Sequence, residues 1–150
     1  MTSQNQTSQE NKLLEETYKN VKMGADAIIT LLPRVNDGDF KTELSSQLCR
    51  YEDYAKQSAD LMQKSGIRPK EENPVSRISA KMGIAMNAMM DGTTSHHAQM
   101  MIEGATMGIT DMTRILHESE EKGVSGEALR LAKDVTAYEE DTVERMKRYL

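Results

Sequence analysis

Between Ala98 and Leu116, eight apolar or small residues (Ala98, Met101, Ile102, Ala105, Gly108, Ile109, Met112 and Leu116) recur at intervals of one, three and four. That spacing builds one face of a long helix and is incompatible with the alternation of a strand. Gly104 and Gly108 sit one turn apart within it. Each costs about 1 kcal/mol of helix propensity relative to alanine, so a helix that keeps both gains close approach to a neighbouring backbone. The stretch from His96 to Leu116 is therefore expected to be the third helix of a bundle and its centre.

The same periodicity marks three further helices. Leu14, Tyr18, Val21, Ala25, Ile28 and Leu32 form the stripe of helix 1. It is expected to open at Thr7 or Ser8, where Thr7 and Glu10 have the form of a capping box, and to close at Pro33 and Asn36-Asp37-Gly38. Residues 1–8 hold nothing to bury and read as a disordered tail ahead of one domain, 9–150. Phe40, Leu44, Leu48, Tyr51, Ala55, Ser58 and Met62 mark helix 2, from about Asp39 to Ser65, with Gly66 at the left-handed C-terminal position. Helix 3 covers about 95–121. Helix 4, capped by Ser125, runs to Tyr149 with Ala128, Leu131, Ala132, Val135, Tyr138, Thr142, Met146 and Tyr149 inward.

Connection lengths then restrict the topology. Helices 1 and 2, and helices 3 and 4, are joined by a few residues each and must be antiparallel neighbours, whereas the crossover 66–94 is long. Within it Asn73-Pro74 has the form of a helix start, and Val75, Ile78, Met82, Ala85 and Met89 mark a short helix over 74–90. The rival is one kinked helix from Pro74 to about Glu121, roughly 70 Å long, with half its apolar surface unpartnered. The reading is all-α: a four-helix bundle whose long crossover carries an extra short helix.

Composition narrows the chemistry. Nineteen basic residues, spread along the chain, stand against 24 acidic ones for a net charge of −5, which argues against a nucleic-acid partner. No stretch reaches the ~18 apolar residues of a membrane span. The opening octapeptide lacks the basic start and apolar run of a secretory signal, and the single cysteine, Cys49, suits a reducing compartment, so the expected location is the cytoplasm. Twelve methionines and no tryptophan fit a helical core filled by unbranched side chains. No Ser-His-Asp order, glycine-rich phosphate loop or His-Glu-x-x-His motif supports hydrolytic or nucleotide chemistry.

Tyr51-Glu52-Asp53 near the middle of helix 2 is echoed by Tyr138-Glu139-Glu140 in helix 4, and Met23-Gly24-Ala25-Asp26 of helix 1 by Met107-Gly108-Ile109-Thr110-Asp111 of helix 3. Two similar hairpins, each with a mid-helix carboxylate on its second helix, resemble the internally duplicated ferritin-like superfamily. The whole chain is similar to small ferritin-like bundle proteins of bacteria. For its di-iron members the resemblance implies a Glu on helices 1 and 3 and Glu-x-x-His on helices 2 and 4. The corresponding residues here run Glu52 to Ala55 and Glu139 to Thr142, so both histidines are missing. Helix 1 has no inward mid-helix Glu; its nearest charge is Lys22, about 80° from the stripe centre. Glu103 lies almost opposite the main stripe of helix 3.

The expectation is an eroded metal site. In it Lys22 neutralises Glu52, Glu139 or both within a cluster that includes Tyr51 and Tyr138; alternatively, the long side chains reach solvent at the edge of the core. A divergent centre for iron, manganese or copper would have to draw on Glu52, His97, Glu103 and Glu139. His96 and His97 point about 100° apart on a helix, so they cannot share one ion in the usual way. His97 and Met101 have the i, i+4 spacing of a soft-metal pair, which core packing also explains. Met100, Glu103 and Met107 form a second stripe on helix 3, to be covered by the crossover or by another subunit. The functional expectation is a non-enzymatic binding or structural bundle that self-associates; the alternative is a metal-binding protein or oxidase of the same class. A third class, a spore- or envelope-associated packing protein, also suits the composition.

Overall fold

The computed structural model describes residues 3–69 and 92–150. They form four long helices: α1 (Ser3–Leu31), α2 (Gly38–Lys64), α3 (Thr94–Glu121) and α4 (Glu127–Met146). Short 3-10 turns follow α1 at Leu32–Arg34 and α4 at Lys147–Tyr149. The short helix expected over 74–90 falls outside the described residues.

Local chemistry accounts for most helix ends. The Asp37 carboxylate accepts the Phe40 N–H at 2.8 Å to start α2, and the Thr93 hydroxyl accepts the His96 N–H at 3.3 Å to start α3. Gly92, at φ +49, stands just before that cap, and α3 begins at Thr94; the rival reading of one kinked helix from Pro74 falls on residues outside those described. At the other ends, Gly66 and Gly123 take φ +74 and +79. Behind them the Ile67 N–H reaches the Met62 carbonyl at 2.8 Å, and the Val124 N–H the Ser119 carbonyl at 3.0 Å. α2 and α3 thus close in the same Schellman geometry, each sealed by an apolar residue after the glycine.

Two boundaries differ from expectation. α1 begins at Ser3, so residues 3–8 are helical and not a tail. Gln9 explains this: it is buried, its amide donates to the Ser119 hydroxyl at 3.0 Å, and its oxygen accepts from Lys122 at 3.1 Å, which pins the first turns of α1 to the end of α3. Helix 4 starts after Gly126, at φ +90 and without a side-chain cap, so Ser125 does not cap it.

Contacts fix the arrangement. Gln9 meets Ser119 and Asn20 meets Gly108, so α1 and α3 are antiparallel neighbours. Glu43 meets Arg145 and Tyr51 meets Tyr138, so α2 and α4 are too. The C-terminus of α2 and the N-terminus of α3 consequently lie at opposite ends of the bundle. α1 and α4, and not α3, each pack on all three other helices.

The core divides into two clusters. One, towards the Leu32–Arg34 end, gathers Val21, Ile28, Phe40, Leu44, Met101, Val135 and Met146; the other gathers Leu13, Leu14, Met62, Met112, Leu116 and Ala132. Between Met101 and Met112, the residues of α3 that line the gap to α1 include the small Gly104, Ala105 and Gly108. The apolar filling thins there, at mid-height.

Candidate functional site

At that thin level a cleft opens between α1 and α3, with about 100 Å³ of free space. From α1 it is walled by Glu16, Lys19, Asn20, Met23, Gly24 and Ala27, and from α3 by residues from Met101 to Met112 that include the two glycines. Tyr51 of α2 and Glu139 of α4 close its floor.

The glycines make the room. A Cβ on Gly108 would stand 2.4 Å from Glu139 Oε2 and 2.9 Å from Asn20 Oδ1; one on Gly24 would stand 2.9 Å from the Tyr51 ring. The closest approach to Gly108 is therefore by two side chains and not by backbone, as helix packing alone had suggested. Asn20 also donates from Nδ2 to the Gly108 carbonyl at 3.1 Å, tying the two walls together.

Glu139 is 2% exposed, and its Oε1 has no hydrogen-bond partner. Burial first, and the Asp111 carboxylate second, push its acid dissociation up to about 8, so at neutral pH it is mostly a protonated acid. Other buried hydroxyls of the bundle are satisfied within their own helices: Thr17, Ser58 and Thr136 each donate back to the carbonyl four residues earlier, at 2.7–2.8 Å. Tyr51, 3% exposed, has its phenol held well above the usual range by burial, then by Glu139 and Tyr138.

The expected cluster of Lys22, Tyr51, Glu52, Tyr138 and Glu139 is only partly assembled. Tyr51 and Tyr138 meet edge to face at 5.7 Å, and Tyr51 shares the cleft floor with Glu139. Glu52 is exposed, because α2 turns Tyr51 inward and the next residue lies about 100° further round. Lys22 is half-buried and forms no ion pair with Glu52 or Glu139, so it neutralises neither. The echo between helices 2 and 4 is thus out of step by one residue: over Gly24 stands Tyr51, whereas over Gly108 stands Glu139, not Tyr138.

The candidate ligands Glu52, His97, Glu103 and Glu139 do not converge. Glu52 and Glu103 are exposed, and Glu103 accepts from Gln99 at 3.1 Å. His97 is buried against Gly92 near the start of α3, three turns from Gly108 or roughly 16 Å along the helix. Among the described residues no three His, Cys, Asp or Glu side chains group to hold a metal ion. Ala55 and Thr142, where Glu-x-x-His would need imidazoles, are both buried. A dinuclear metal therefore does not fit this donor set.

Asn20, Lys19, Glu16 and Asp111 were not singled out by periodicity, since which flank of a helix lines a gap depends on how the helices are rotated against one another. The clue in the sequence was the matched pair Gly24 and Gly108. Of the second stripe on α3, Met100 is buried and Met107 stands half-exposed at the cleft. His96, His117 and Cys49 are exposed. No described helix is long and apolar enough to cross a membrane. Compared with protein-family models, curated proteins and solved structures, the chain matches none.

Proposed function

We propose that this chain is a non-enzymatic binding protein of the ferritin-like class, in which an ancestral metal centre has given way to a cleft for a small ligand. Two antiparallel hairpins joined by a bundle-length crossover support the class. Ala55 and Thr142 in place of imidazoles support the loss of the metal. The observation that carries the binding role is Glu139, a buried carboxyl that lines the cleft and whose Oε1 has no hydrogen-bond partner. An unsatisfied buried acceptor costs about 1–3 kcal/mol, which a guest bearing a donor would recover.

Methyl-labelled methionine makes the test direct. Small soluble fragments are expected to shift the methyl resonances of Met23, Met101, Met107 and Met112 and to leave Met146, away from the cleft, unmoved. Gly104→Leu, which fills the cleft from α3, is expected to abolish those shifts. If no fragment moves the four methyls, the binding role fails. Protein purified without chelator that carries about two iron, manganese or copper ions per chain would restore the metal-binding alternative instead.

A further inference from the structure

Resting on the cleft-binding reading, we infer that the ligand is a small organic cation, a primary ammonium with a compact apolar body, whose N–H groups dock on the Glu139 carboxyl. Three observations converge on that chemistry. The first is the acceptor: the Glu139 carboxyl lines the cleft with Oε2 turned to Gly108, and its buried Oε1 has no donor. The second is charge. Among the described residues that line the cleft, Glu16 and Asp111 are acidic against one basic Lys19, and Glu139 adds a further negative charge once it gives up its proton, so the lining favours a cation over an anion. The third is the wall. The cleft is lined by Tyr51 and by Met23, Met101, Met107 and Met112, surfaces that suit an alkyl body.

Size follows from the space. An apolar cavity of about 150 Å³ accepts benzene, so the roughly 100 Å³ here accepts about four or five heavy atoms. A divalent metal ion is a poorer fit, because it needs about six oxygen ligands in a set geometry and the floor offers a single carboxyl.

Docking is coupled to a proton. Glu139 faces Glu16 and Lys19 from α1, Tyr51 from α2 and Asp111 from α3, while Arg145 of its own helix is engaged by Glu43 and Asp141. None of these supplies a counter-cation at Oε1. In the empty cleft the carboxyl therefore keeps its proton up to about pH 8. An ammonium arriving already charged converts the acid to a carboxylate–ammonium pair, and the carboxyl proton leaves to solvent: one cation bound, one proton released.

Isothermal titration with tert-butylammonium chloride at pH 6.5 tests this, run in phosphate and in a sulfonate buffer of larger ionisation enthalpy. The amine stays charged at that pH, so any released proton comes from the protein. Close to one proton per bound cation is expected, with affinity rising about tenfold per pH unit until it levels near pH 8. tert-Butanol, the same size but neutral, should bind at least tenfold more weakly. Glu139→Gln should lose both the proton release and at least tenfold in affinity for the cation. Should tert-butanol bind as tightly as the ammonium, or the cation bind without releasing a proton from the parent protein, the inference is overturned while the cleft reading stands. Should neither compound bind nor move the four methionine methyls, both fall.

Discussion

The two long seams of the bundle solve the same packing problem in opposite ways. Between α2 and α4 the space is filled with rings: Tyr138 sits edge-on to both Tyr51 and Tyr54 at 5.7 Å, with Arg50 over Tyr54 at 5.0 Å and Arg145 over Tyr138 at 5.1 Å. Arg145 also pairs with Glu43 at 2.6 Å, and Gln47 is fully buried beside it, donating to the same carboxylate. Between α1 and α3 the facing residues at mid-height are Gly24, Gly104, Ala105 and Gly108, and the ties are few: Asn20 to Gly108 in the middle, Gln9 and Lys12 at one end. One seam is closed by volume and matched charge. The other is thinned by missing side chains, and Glu139 at its floor is buried with one oxygen unmatched, as is Gln47 Oε1 on the filled seam. A bundle of uniform helices can thus place an opening where it carries the least filling without loosening the opposite side.

The largest expected effect lies on the filled seam. Tyr51→Ala removes a ring that packs on both Tyr138 and Gly24, and should cost about 4 kcal/mol in urea denaturation; a loss below about 1 kcal/mol would mean that the seam is not closed by volume. Next comes the open seam's response to pH. The native state holds the Glu139 proton up to about pH 8, whereas an unfolded carboxyl releases it near its ordinary value, so the folded form binds more protons in between. Stability should therefore fall as pH rises, by about 3 kcal/mol from pH 5.5 to 8.5, and flatten above that. Glu139→Gln should erase that slope and be the more stable protein at pH 8.5; an unchanged slope would assign it to other groups.

Smaller effects sharpen the contrast. Arg145→Met leaves a mostly buried Glu43 without its cation and uncovers the Tyr138 face, for an expected loss of about 2 kcal/mol. High salt should reduce that difference only slightly if the pair is as sheltered as its geometry indicates. Last is Glu52→Gln, the counterpart of Glu139→Gln by sequence echo alone. Because Glu52 is exposed, thermal melts of this variant should agree with the parent within about 0.5 kcal/mol at every pH. A pH-dependent difference here would contradict the one-residue offset between the halves.

What was legible in the chain follows from what each signal measures. Apolar spacing reports which face of a helix is buried, and it located all four helices, with Leu14, Val21, Phe40, Leu44, Met112 and Val135 inside. Connection lengths report which ends can be neighbours, and they led to two hairpins with a crossing chain. Neither signal reports how far each helix is rotated about its own axis. Glu52 and Glu139 therefore looked equivalent, and Lys22 looked close enough to pair, although the structure turns one carboxylate to solvent and the other inward. Polar anchors were also invisible to apolar spacing. Gln9 holds the first turns of α1 in place through Ser119 and Lys122, contacts 110 and 113 residues away in the chain, which no local pattern encodes.

The floor of the cleft is shared: Tyr51 comes from the first hairpin and Glu139 from the second, while the walls belong to one helix of each. Whatever seats itself there touches both halves of the polypeptide at once and works as a clasp across the joint along which they would come apart. Occupancy should therefore be felt far from the guest, as slower backbone amide exchange along α1 and α3 together, and emptying the cleft should release both halves in the same step.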